Sequence, residues 1–286
     1  MACDSLYVAY LKAYYPYELY VTMLKLYDEK KNTDKIAKII SEMKRYKKIS
    51  LTAGRFGQDN RDWFVDKENN TISQSLSSIR YMSKQVAKDL YRVGHQKFST
   101  FTDLLRELQM NTCLNTRHIE ILIELGYFKD FGGSGKLINV YDNFFEGKNK
   151  LTKTIKSYET RLESCREYEA SLKDEELPIT RRLASELANV GLCLTYDKSA
   201  PQDLYFARSI DAKYGVKVTF YSVQRGTSGI IRIRKNDFTK KPFEEGQCVF
   251  IRKANKSPRY TYKGGRKAVI PGEYEFWAEQ YEVLQN

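Results

Sequence analysis

The sequence predicts a multidomain α+β protein with a helical N-terminal region and a C-terminal small β-barrel. Three observations carry this expectation. The chain has 286 residues, more than one small core requires, so two or three domains are expected. Apolar residues recur at helical spacing up to about Gly191. Beyond it the texture changes to alternating, β-branched and aromatic runs separated by turns containing Gly or Asp.

Residues 3–27 read as a helix with Leu6, Tyr10, Leu19, Met23 and Leu26 on its apolar positions, interrupted at Pro16. Proline lacks the amide donor and clashes with the preceding turn, so the helix kinks or restarts there. Asn32 or Thr33 opens a second amphipathic helix bearing Ile36, Ile39, Ile40 and Met43 on one face. Residues 47–73 look extended, with Trp63–Val65 and Thr71–Ser73 flanking a polar turn as a short hairpin. Short helices are expected at about 84–93, 100–110, 115–126 and 135–146. Ser99 and Asn115 are candidate N-caps, and Gly94 and Gly126 candidate stops. The charged segment 148–176 reads as one exposed helix, and another helix runs from Pro178 to Gly191. "LYFARSI", "VKVTFYSV", "GIIRIRK", "QCVFIRKA" and "YEFWAEQYEV" then give about five short strands, the number of a small closed barrel of OB type.

The stretch "SLSSIRYMSKQVAKDL", residues 75–90, has the outline of a helix-hairpin-helix. An apolar run ends at Ile79, a tight turn comes next, and Ser83 caps a helix carrying Val86, Ala87 and Leu90. Unpaired N–H groups and the positive dipole end of such a helix suit a phosphate, with Arg80 and Lys84 supplying side-chain charge. Tyr81 and Ser83 stand where such hairpins carry glycine, and Tyr81 blocks part of the backbone's approach. A structural turn and a phosphate clamp are both compatible with these residues.

Composition narrows the function classes. The formal net charge is +12, which points to a polyanionic partner, nucleic acid first. Between Arg208 and Lys267 sixteen Lys and Arg face four acids, so the excess is concentrated. No run of 18 apolar residues suits a membrane span, and the N-terminus lacks signal-peptide features. Five scattered cysteines without C-x-x-C spacing argue against a zinc ribbon or a disulfide framework, and fit a cytoplasmic protein.

Catalysis has little support in the residues. His95 and His118 have no metal-ligand companion at i+3 or i+4. Asp59 and Asp62 in "GQDNRDWF" suit a turn, Asp174–Glu176 a solvated helix end, and "GGSGKL" at 132–137 a linker between helices. No catalytic residue, no metal ligand and no cofactor is therefore assigned to this chain. Binding is better supported. Arg232 and Arg234 flank Ile233 on one strand face, and Arg252, Lys253, Arg259, Tyr260, Tyr262 and Lys263 continue into a loop. With Phe220 or Tyr221 exposed on the preceding strand, this is how a barrel face holds single strands: charge tracks phosphates and rings stack on bases.

Taken in order, these segments resemble the C-terminal part of the bacterial DNA polymerase III alpha subunit, the C family of replicative polymerases, in its Firmicute and phage-like members. "YVAYLKAYYPYELYVTML" is similar to the Y-L-K-x-x-x-P-x-E-F stretch at the end of the fingers, and "KIAKIISEMKRYKKISL" to the K-I-x-x-Y-I-x-E-x-K-R-x-G-I-x-V helix and strand. "FVDKENNTISQSLSSIRYMSKQVAKDLY" resembles the segment leading into the family's I-K-G-V-G hairpin. "KFSTFTDLL" and "LNTRHIEILIELGYFKDFG" resemble F-x-S-x-x-D-F and N-x-R-x-L-E-x-L-I-x-x-G-A-F-D. The order and spacing of these motifs, not any single one, carry the resemblance. It implies a fingers remnant at 1–73, a tandem helix-hairpin-helix at 74–147, linker helices at 148–202 and an OB-fold-like barrel at 203–286.

The resemblance further implies that Arg80, Tyr81, Ser83 and Lys84 lie against duplex backbone and that the barrel lies near single-stranded template. Lys12 and Lys44–Arg45 would belong to the fingers. The family's palm carboxylates, which hold Mg²⁺ in the complete polymerase, precede the point matched by Met1, so this chain is not expected to polymerise DNA by itself. The expected partners are DNA, as primer-template duplex and single strand, and an upstream polymerase chain carrying the palm. No Q-x-x-[L/M]-F clamp-binding peptide is found. Two alternatives remain: half of a split polymerase, active only with its palm chain, and a non-DNA-binding interaction adaptor working through 148–176.

Overall fold

The computed structural model describes residues 2–30, 32–147, 150–153, 156–213, 215–263 and 266–284, with side chains left undescribed at 2–5, 33–34, 262–263 and 266–267. The chain divides into two compact units, Met1–Leu192 and Cys193–Asn286.

The first unit opens with α1 (Ala2–Tyr14) and α2 (Pro16–Glu29), broken where Pro16 takes the first helical position. The Asn32 side chain accepts from the Lys35 amide and starts α3 (Thr33–Glu42). Tyr20, Leu24, Ile36, Ile39 and Met43 bury the face between α2 and α3. Sequence periodicity does not anticipate the next element, a π-helical turn over Met43–Lys47 ended by left-handed Lys48 at φ 58°. Strands β1 (Ser50–Thr52), β2 (Phe64–Asp66) and β3 (Thr71–Ser73) form a sheet in the order β1-β3-β2. β2 and β3 are the expected hairpin, and β1 joins β3 in parallel.

A 3₁₀ turn (Leu76–Ser78) leads into α4 (Lys84–Val93), α5 (Phe101–Asn111), α6 (Thr116–Glu124), α7 (Ser134–Phe145), α8 (Tyr158–Ser171) and α9 (Ile179–Val190). Their common core is built from Leu90, Phe101, Leu104, Leu108, Leu122, Phe128, Val140, Phe144, Leu162 and Leu183, each buried. The cap of α5 is Thr100 rather than Ser99: the Thr100 hydroxyl accepts from the Asp103 amide at 3.1 Å.

One expectation for 148–176 is corrected. The segment is not one exposed helix. α8 is shorter, and it buries Leu162, Cys165 and the carboxylate of Glu169. That carboxylate accepts from the amides of Phe101 and Thr102, both at 2.8 Å, and from the Thr102 hydroxyl at 2.7 Å. It thus satisfies the orphan donors that open α5. Asp174–Glu176 are exposed beyond the end of α8, as expected, and also serve the start of α7. Asp174 accepts from the Gly133 amide at 2.6 Å, Glu176 from the Ser134 hydroxyl at 2.7 Å, and the Glu175 carbonyl from the amides of Gly135 and Lys136. "GGSGKL" is therefore the start of α7, with its donors used internally. A side chain at Gly133 would place its Cβ 2.3 Å from the Glu175 oxygen, so only glycine fits.

The second unit is a mixed sheet of β4 (Leu204–Asp211), β5 (Val216–Ser222), β6 (Thr227–Ile233), β7 (Cys248–Lys263) and β8 (Arg266–Val283), with α10 (Lys235–Lys240) between β6 and β7. The order β4-β5-β6-β8-β7 closes through antiparallel pairing of β4 with β7, and β6 runs parallel to β8. Val216, Val218, Phe220, Ile233, Phe243, Val249, Ala278 and Tyr281 fill its interior. The Tyr281 hydroxyl lies 3.0 and 2.8 Å from the carbonyls of Asp237 and Lys241, fastening α10 to β8. The stretch after Arg252, expected to be a loop, instead continues β7 as a ribbon paired with β8 as far as Lys263–Arg266.

Glu169 gives a direct test of the α5–α8 joint. Glu169→Ala leaves buried amides without partners and is expected to destabilise the first unit by about 2–3 kcal/mol, with Glu169→Gln recovering part of the loss. Chemical denaturation measures both, and equal stability of Glu169→Ala and the parent would contradict the capping role.

Candidate nucleic-acid interface

The turn between the 3₁₀ segment and α4 is held on both sides. Ile79 and Met82 point inward and are buried, and the Arg80 amide donates to the Asn189 carbonyl at the end of α9 at 2.8 Å. Between them Tyr81 adopts φ 69°, the left-handed region that disfavours a residue with a Cβ. Ser83 caps α4 as expected, its hydroxyl accepting from the Val86 amide at 3.2 Å.

The second anchor comes from α6, through a residue with no sequence motif to mark it. Asn115 and His118 form a capping box: Asn115 Oδ1 accepts from the His118 amide at 3.0 Å, and His118 Nδ1 accepts from the Asn115 amide at 3.2 Å. With Nδ1 accepting, the neutral ring's proton sits on Nε2. The starts of α4 and α6 lie side by side, with Arg117 of α6 stacked 3.6 Å from the centroid of the Tyr81 ring. Burial pushes the His118 pKa below the ordinary 6.5, opposed by a bond to the Tyr81 main chain and reinforced by Arg117.

Around this joint Arg80, Lys84 and Arg117 are exposed. Among the described residues none of the three meets a carboxylate. Arg117 instead lies 3.6 Å from the Tyr81 ring centroid and Arg80 5.0 Å from it. Arg117 and His118 stand well beyond the 75–90 hairpin in sequence, and no local pattern ties them to it. A second basic surface is the π-helical turn, where Arg45 sits 5.1 Å over the ring of Tyr46, which is 65 % exposed, with Lys47 and Lys48 next in the chain.

On the closed sheet, four of the cations expected to form a basic binding face are paired with carboxylates. Arg232 pairs with Glu275 at 2.8 Å, Lys253 with Glu279 at 2.6 Å, and Arg259 with Glu273 at 2.7 Å and Glu275 at 4.0 Å. Arg252 bridges Asp203 and Glu282. Most of these partners lie on β8, past the end of the window in which basic residues outnumber acids. Arg232 and Arg259 are brought together at Glu275. Arg234 stands apart, exposed at the start of α10, where it draws down the pKa of Glu279 after the larger effect of Lys253.

Aromatic residues are redistributed as well. Phe220 and Tyr221 are both buried, and the Tyr221 hydroxyl donates to the Thr195 carbonyl at 2.9 Å, so neither ring is a stacking surface. Tyr260 is exposed on the ribbon, while the side chains of Tyr262 and Lys263 lie outside the described residues. On the outer face Lys217, Arg232 and Trp277 form one cross-strand row, with the guanidinium 5.6 Å from the indole centroid. The alternation of "YEFWAEQYEV" could have placed Trp277 there.

Nothing in the described residues groups three potential metal ligands. Asp59 is held by Arg61, Asp62 by Lys25, and His95 Nδ1 lies 2.7 Å from the Tyr91 carbonyl. No described helix is long and apolar enough to cross a membrane.

A family model described as a helix-hairpin-helix motif matches residues 35–136, from within α3 to the first turn of α7. Residues 35–136 carry a helix-hairpin-helix region. No curated protein matches the chain. The helix-hairpin-helix region points to nucleic acid as the partner, and its turn at 79–83 is where cations without carboxylate partners meet a helix start.

His118 makes the helix-hairpin-helix joint sensitive to acid. Its folded pKa lies below its unfolded value, so its contribution is complete above about pH 6.5 and is lost as the pH falls through the folded value. Stability measured from pH 7.5 to 5 is expected to decline more steeply in the parent than in His118→Gln, which cannot titrate. Parallel pH profiles would contradict the burial of a neutral His118 that accepts from the Asn115 amide.

Proposed function

We propose that the chain holds nucleic-acid strands by their backbone, without sequence preference, and performs no bond chemistry of its own. The observation that carries this reading is the cluster Arg80, Lys84 and Arg117, exposed and without acid partners among the described residues, around the joined starts of α4 and α6. Such a cluster neutralises phosphates and releases counterions. The basic turn at 43–48 extends the same charge, and Tyr46 gives it a ring on which a base can stack.

The finer reading is a DNA-binding C-terminal section of a DNA polymerase III alpha-type replicative polymerase, positioning primer-template for a palm domain. Support comes from the order of the sequence motifs across 7–132 and from the helix-hairpin-helix region itself. The second unit adds to it. Numbering its strands from β4, they lie in the order one-two-three-five-four and close on the first, with a helix between the third and fourth, as an OB fold requires. In this reading 1–73 is the fingers remnant, 74–147 the tandem helix-hairpin-helix, 148–202 the linker and 203–286 the OB-like domain. Nucleotidyl transfer, and the Mg²⁺ it needs, belong to that palm domain.

One observation favours the split-polymerase form of this reading. Leu6, Tyr7, Tyr10 and Tyr14 on α1 are 49–75 % exposed, a large apolar surface for a single helix. Mixing the protein with a chain that encodes the preceding palm and fingers, then assaying primer extension, tests it; no extension by the mixture argues against it.

The backbone-holding proposal is tested by salt titration. Binding to primer-template is expected to weaken steeply with salt, on a log–log slope that records several released counterions. Arg80→Ala with Lys84→Ala and Arg117→Ala should cost about tenfold or more at low salt and flatten that slope by about one per cation. Arg252→Ala with Arg259→Ala should change affinity by less than about threefold, since removing a surface-paired guanidinium costs little. Absence of binding at low salt, or a larger loss from the β7 pair, overturns the proposal.

A further inference from the structure

We propose that the Tyr81 ring is a stacking platform for an unpaired nucleobase, so that the hairpin grips a strand where it parts from its complement. This rests on the nucleic-acid reading above and goes further, to the structure of the ligand. Tyr81 is the one residue of the turn's apolar trio that faces outward: Ile79 and Met82 are 2 % and 7 % exposed, and Tyr81 is 44 % exposed. The ring contributes no hydrogen bond to the fold among the described residues. Its backbone conformation is one that glycine adopts without strain and tyrosine does not. The fold therefore carries an outward aromatic ring at a position where a residue with no side chain would serve the turn better.

The surroundings of the ring determine its ligand. Arg117 stacks over it at 3.6 Å from the centroid, and Arg80 sits over it more loosely at 5.0 Å. The ring retains its exposure with that guanidinium in place. A base stacked on the remaining surface would have cations beside it for its own phosphate, the combination of ring and charge by which single strands are held. Bulk at this position also keeps a continuous duplex from the close backbone approach that glycine allows, so the same side chain that favours an unpaired base disfavours plain duplex.

The test uses the full chain and two probes: a blunt duplex, and a primer-template with a 5′ overhang carrying 2-aminopurine at the first unpaired template position. The parent is expected to prefer the overhang probe and to quench its 2-aminopurine fluorescence. Tyr81→Gly and Tyr81→Leu should weaken overhang binding about tenfold and remove the quenching, with blunt-duplex binding unchanged or tighter. Tyr81→Phe should retain both overhang binding and quenching. Tyr81→Gly also relaxes the turn, and a melting temperature no lower than the parent's shows that the loss is not misfolding. Overhang binding that survives Tyr81→Gly, or equal losses on both probes, overturns the proposal while leaving strand holding intact. Failure of the parent to bind either probe at low salt overturns the underlying reading instead.

Discussion

A guanidinium already gripped by a carboxylate has little left to offer a phosphate, and the placement of such pairs governs what each unit of this protein can do. Along β8, Glu273, Glu275, Glu279 and Glu282 pair with Arg232 of β6 and with Arg252, Lys253 and Arg259 of β7. Around the 79–83 turn the acids are spent elsewhere. Asp89 accepts from the Cys113 amide, Glu169 caps α5, and Asp174 and Glu176 close the start of α7. Arg80, Lys84 and Arg117 are left facing solvent.

That division arises from how the helical unit solves its own hydrogen-bonding problem. Each helix start exposes several N–H groups that need an acceptor. In this unit α5 and α7 receive carboxylates from the 158–176 segment, so their positive ends are neutralised within the fold. α4 and α6 are capped only by the uncharged side chains of Ser83 and Asn115 with His118. The dipoles of these two starts are therefore uncompensated, and the contact of Arg117 with Tyr81 brings them to one place. Charge, dipole and exposed ring converge there, while the anionic caps serve the starts of α5 and α7.

Local signals were legible where short-range chemistry decides the outcome. Pro16 breaking a helix, Asn32 and Ser83 opening helices, Gly191 in left-handed conformation ending α9, and the strand runs after Gly191 all depend on a few neighbouring residues. What escaped was long-range. Glu169 meets α5 across 68 positions, and Arg252 meets Glu282 across 30, so composition within a window counted these charges as solvated or unopposed. Tyr221 looked available because alternation assigns one of two adjacent aromatics to each face, yet the segment at Thr195 covers the outer one. Tyr81 shows the reverse, since a missing glycine reads in sequence as a lost function. The fold instead holds that tyrosine in glycine's conformation with its ring turned outward.

Lysine footprinting bears most directly on the claim that carboxylate pairing, not cation count, selects the binding surface. Acylation of the protein with and without primer-template, read by mass spectrometry, compares Lys84 beside the hairpin with Lys253 held by Glu279. Strong protection of Lys84 with unchanged reactivity at Lys253 is expected. Protection of Lys253 while Lys84 stays reactive would refute the claim.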